Sequence, residues 1–108
     1  MIYNIFFLLL CGHALCDYSL QNDTMAKCKD HITNPMEKHV PWYYWLGAHS
    51  LIHGGMVTLI TGSTVLGLFE AVTHAGFDYM KCDGATNIHQ DQALHLIVLA
   101  AIAFCWAA

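Results

Sequence analysis

Four apolar blocks run along this chain, each long enough for a helix, and polar residues enter each of them at four-residue intervals. The first covers Ile2 to Leu20 and grades into the more polar Gln21 to Lys29, which predicts one helix over about residues 2–28. Residues 30–41 hold both prolines, Pro35 and Pro41, and read as the main connection. The second block starts at Trp42, where Pro41 and the run Trp42, Tyr43, Tyr44 and Trp45 suit a helix start at a membrane–water boundary. It predicts a helix over 42–61. Gly62-Ser63-Thr64 is the one break before a third helix over 65–82, so the two form a tight antiparallel hairpin. A polar stretch around Asp83-Gly84 leads to the last helix, over 91–107.

Composition decides where these helices sit. Of the 108 residues, 56% are hydrophobic and 11% charged, and runs such as Ile5 to Leu10 and Leu94 to Cys105 have no polar outer face. A soluble four-helix bundle is the competitor, but the pattern favours an all-α, membrane-embedded antiparallel four-helix bundle forming a single domain over 1–108. With four lysines, no arginine and a net charge of -4, the chain lacks the basic face that nucleic acid requires. Lys27, Lys29 and Lys38 lie in the first connection and Lys81 in the third, so the positive-inside rule puts both on the cytoplasmic side of an inner membrane. The N-terminus lacks the basic region of a cleaved signal peptide, and the first helix is expected to be retained. The five cysteines form no C-x-x-C pair and read as free thiols.

The polar interruptions are chemically of one kind. They are His13-x-x-x-Asp17, His49-x-x-x-His53, His74-x-x-x-Asp78 and Asp91-x-x-x-His95, and four-residue spacing sets both members of each pair on one helix face. Under the lysine topology all four pairs fall at one depth near the cytoplasmic face. Imidazole with carboxylate is a ligand set for zinc, manganese or iron, and helix-borne pairs are how bundles build such sites. A metal would offset the burial of the carboxylates, and a metal-bound water would be a hydrolytic nucleophile.

The plainer alternative is that Asp–His pairs hydrogen-bond across helices as structural links. Haem ligation by His49 or His53 has no C-x-x-C-H signal behind it. His31, His39 and His89 read as solvated connection residues, and Gln21 as a helix-end cap or a support for a ligand. Glu70, one turn before His74, reads as a structural hydrogen-bonding group before it reads as a ligand.

Three motifs carry a resemblance to a family. Gly12-His13-x-x-x-Asp17-Tyr18-x-x-Gln21 with Met25-Ala26-Lys27-x-Lys29, then His74-x-x-x-Asp78-Tyr79-x-Lys81, then Asp91-Gln92-Ala93-Leu94-His95, are similar to the domain-of-unknown-function family 3307 of small phage and bacterial membrane proteins. The likeness covers nearly the whole chain, and His49 also falls on a family histidine. The departure is Thr73-His74-Ala75-Gly76-Phe77, where bulkier apolar residues are usual. The resemblance implies a membrane location and a prokaryotic or phage setting, and it supplies no activity.

Two function classes follow. One is a metal-dependent hydrolase acting on a lipid, phosphoester or amide at the bilayer surface, with His13, Asp17, His49, His53, His74, Asp78, Asp91 and His95 around the metal. The other is a non-enzymatic phage membrane component, holin-like or an inhibitor of a host membrane protein, in which the pairs set helix packing. The expected partners are the lipid bilayer and either a second copy of the chain or a host membrane protein.

Overall fold

Every helix after the first begins where a side chain meets a free amide. In the computed structural model, which describes residues 1–108 in full, α1 spans Ile2–Ala14 and α2 spans Asp23–Cys28, the latter opened by Asn22, whose Oδ1 accepts from Met25 N at 2.8 Å. α3 (Trp42–Thr61) follows Pro41, and Glu37 Oε2 accepts from its first amide, Trp42 N, at 2.9 Å. α4 (Thr64–Cys82) is capped by Ser63, and α5 (Ile88–Ala107) by a reciprocal box between Asn87 and Gln90. Gly62, at φ 76°, ends α3 in the left-handed conformation and turns the chain into α4 within two residues.

The single helix expected over 2–28 is divided. After α1 the chain makes a π turn, Leu15–Ser19, closed by Leu20 N donating to Leu15 O at 2.9 Å, and α2 then restarts the helix after Asn22. A π turn carries an extra residue per turn and is frequent at functional sites. Gln21 acts as a cap here, its Nε2 donating to the Asp17 carbonyl at 3.2 Å. The break lets α2 pack against α3 instead of continuing along the line of α1.

α1 packs against α3 and α5, and α4 packs against the same two, so the four long helices form a ring with α1 and α4 on the diagonal. α3 and α4 approach backbone to backbone at Gly54 and Gly67. A Cβ at Gly54 would lie 2.6 Å from the Gly67 carbonyl oxygen, and one at Gly67 would overlap Thr58 Oγ1. Gly76, the family departure, faces open space.

Along its axis the bundle interior changes character. One end is closed by Ile5, Leu9, Val57, Val98, Leu99, Ile102 and Ala103. The other, toward α2 and the longer connections, is filled by histidines and carboxylates. Two helical stretches are long and apolar enough to cross a membrane, Ile2–Ser19 and Ile88–Ala107. α3 and α4 have the length of a span, but their polar residues hold them below that apolarity.

Candidate metal centre

Helical periodicity brings the four pairs to one place. Asp17 comes from the π turn after α1, His49 and His53 from α3, His74 and Asp78 from α4, and Asp91 and His95 from the first two turns of α5. His49, His53, His74, Asp78, Asp91 and His95 are each no more than 2% exposed, so this is bundle interior and not surface. The rings are packed face to face in sequence, His53 on His74 at 3.7 Å and His74 on His95 at 4.3 Å between centroids.

The focus is one oxygen. His53 Nε2 lies 3.0 Å from Asp17 Oδ1, His49 Nε2 3.3 Å and His74 Nε2 3.9 Å, so three imidazoles from two helices converge on one carboxylate. Asp17 Oδ2 is held from the other side by His13 Nε2 at 3.2 Å and by Gln92 Nε2, which donates at 3.3 Å. Ligand atoms of Asp17, His49, His53 and His74 all fall within 4.8 Å of one another, and so do those of His13, His53, Glu70 and His74.

Not all eight predicted residues share the focus. Asp78 Oδ2 is 3.7 Å from His49 and 3.9 Å from His74, but its close partner is Lys29 Nζ at 2.6 Å. Asp91 pairs with His95 at 3.2 Å and with Lys81 at 3.7 Å. These residues stand beside the central set and neutralise one another there.

Hydrogen bonding leaves the centre incomplete. His49 Nε2, both ring nitrogens of His74, His13 Nδ1 and Glu70 Oε2 are buried without a hydrogen-bond partner. Orphaned buried polar atoms cost about 1–3 kcal/mol each. A neutral imidazole carries one N–H and one lone pair, so these orphaned atoms are unused bonding capacity of a kind a metal could take up. Zinc–nitrogen bonds of about 2.0–2.1 Å put tetrahedral ligands roughly 3.4 Å apart. The His53 and His49 nitrogens already lie near that spacing from Asp17, and ligand atoms at the 4.8 Å limit would have to approach by about 1.4 Å to hold such an ion.

The carboxylates of Asp78 and Asp91 are offset by the ammonium groups of Lys29 and Lys81, whereas those of Asp17 and Glu70 have no ammonium partner and face imidazoles.

Residues outside the predicted set complete the site. Glu70, 1% exposed, lies with Oε1 3.6 Å from His74 Nδ1, at the centre and not at its margin. Lys29 is 4% exposed and Gln92 bridges Asp17, Asp91 and His13. His39 is exposed in its connection as expected; His89 is exposed too but lies in the first turn of α5 and not in a connection, whereas His31 stacks on Tyr79 at 4.2 Å and sits 2.9 Å from Asp83. All five cysteines are free thiols.

Fold and site together define an all-helical protein with two helices able to cross a membrane and a buried histidine–carboxylate cluster suited to a metal. The chain belongs to the family described as "Protein of unknown function (DUF3307)", whose model matches residues 5–108. Neither the curated proteins nor the solved structures yield a match.

Proposed function

We propose that this chain is an integral membrane metalloprotein that holds one divalent transition metal, zinc, manganese or iron, among Asp17, His49, His53 and His74. The observation that carries this reading is the convergence of three imidazole Nε2 atoms on Asp17 Oδ1, at 3.0, 3.3 and 3.9 Å, in a site with unpartnered ring nitrogens. Four spans in the bilayer are supported by the apolar outer face of every long helix. Phe7, Leu59, Val72, Ile97 and Phe104 are all at least 64% exposed, a distribution that suits lipid better than water.

The reaction class this ligand set can serve, where the metal keeps a coordination position beyond these four ligands, is hydrolysis of an ester, phosphoester or amide close to the membrane surface. A bound metal would supply Lewis acidity and lower the pKa of a water molecule. Asp17 is the one central ligand whose side chain is not buried, at 12% exposure, so water and substrate approach from its side. Gln92 and His13 hold Asp17 Oδ2 and leave Oδ1 directed at the imidazoles.

The test is equilibrium dialysis of detergent-purified protein against zinc, manganese and ferrous iron. One ion per chain is expected for wild type, and loss of stoichiometric binding for His53→Ala and His74→Ala. Wild type without bound metal, or alanine variants that keep it, would overturn the reading. The hydrolase assignment stands or falls separately on ester or phosphoester turnover by the metal-loaded protein that disappears on chelation.

A further inference from the structure

The π turn and the helices α1, α3 and α4 offer two layers of donors, and His13 and Glu70 are not used by the single-metal site. His13 on α1, His53 on α3 and Glu70 on α4 each stand four residues from Asp17, His49 and His74, about 6 Å along the axis at 1.5 Å per residue, on the side of the apolar core. This inner layer meets the same distance criterion as the outer one. Donor atoms of His13, Glu70, His53 and His74 lie within 4.8 Å of one another. All four side chains are buried, Glu70 and His74 to 1% and His53 to 2% exposure. Glu70 Oε2 and His13 Nδ1 have no other partner.

Resting on the single-metal reading above, we propose that the centre has a second, inner seat for the same cation. The outer seat is Asp17 with His49, the inner seat is Glu70 with His13, and His53 and His74 belong to both. Sharing two imidazoles makes the seats alternatives and not a pair of filled sites. Each seat offers one carboxylate and three imidazoles, the same donor chemistry at two depths. An ion entering from the Asp17 side would move inward by less than one helical turn, since His53 and His74 are common to both seats, and Leu9, Val57 and Leu99 close the interior beyond.

Cobalt(II) is the probe, since its visible absorption reports ligand number and type. Titration of wild type should end at one equivalent. Asp17→Asn and Glu70→Gln should each still bind one equivalent, weakened by about tenfold or less, with spectra that differ from each other and from wild type. The double variant should lose about a thousandfold or more, because both seats are then impaired. Each variant is first checked for wild-type elution and helical circular dichroism, and His13→Gln is the second route to the inner seat if Glu70→Gln does not fold. Two equivalents in wild type, loss of all binding in Asp17→Asn, or a Glu70→Gln protein with unchanged spectrum and affinity would each overturn the inner seat. Those results leave the outer metal site standing, whereas absence of cobalt from wild type removes both.

Discussion

The two ends of this bundle are built from the same four helices and hold together by opposite means. At the apolar end, Ile5, Leu9, Val57, Val98, Leu99, Ile102 and Ala103 pack through contacts that any apolar side chain of matching volume can make. At the polar end almost every buried atom needs a particular partner, and several lack one. If the metal is held by the central polar set alone, substitutions in the apolar end should lower stability without changing bound metal, whereas those in the polar end can change either.

The strongest break is expected at Asp78. Its carboxylate faces Lys29 Nζ at 2.6 Å, so Asp78→Ala leaves a buried ammonium unpaired and should cost about 3–5 kcal/mol by denaturation in detergent. Replacing the pair together, Lys29→Met with Asp78→Leu, should recover most of that loss, and failure to recover would show that Asp78 does more than balance Lys29. Next in size is Ile102→Ala in the apolar end, where exposure is 0%. A cavity there should cost about 2–4 kcal/mol while metal content stays at wild-type level. Metal loss in that variant would erase the distinction between the two ends.

Smaller effects sharpen the same contrast. Gly67→Ala forces α3 and α4 apart at Thr58, at a cost of about 1–3 kcal/mol read as a lowered Tm. Its position between the two ends makes a partial loss of metal affinity the expected companion. His39→Ala and His89→Ala, both exposed, should change stability by about 0.5 kcal/mol or less and leave metal bound.

Much of this was legible in the sequence because the helical period is strict. The four i, i+4 pairs had to lie on helix faces, and a buried polar face has nowhere to go but the interior. What escaped has identifiable causes. Glu70 was set aside for being one turn deeper than His74, yet His13 and His53 are equally deep, and comparing depth across helices would have found it. Lys29 was counted as a loop charge that orients the chain. The π turn and the break after it fold α2 back against α3 and carry Lys29 into an ion pair; the sequence sign of the break is Asn22, a helix-capping residue followed by Asp23 in the first turn of α2. Lys81 is similarly committed to Asp78 and Asp91, so Lys27 and Lys38 are the lysines left without such an ion pair. Gln92 was hidden by its place next to Asp91, since its partners His13 and Asp17 lie more than 70 residues away in the chain.

Metal-edge X-ray absorption on the zinc-loaded protein tests the central claim most directly. The account predicts light-atom ligands at about 2.0–2.1 Å with the outer-shell scattering of about three imidazoles, and loss of that pattern in His53→Ala. A bound metal with oxygen ligands alone, or a wild-type protein that retains none, would contradict it.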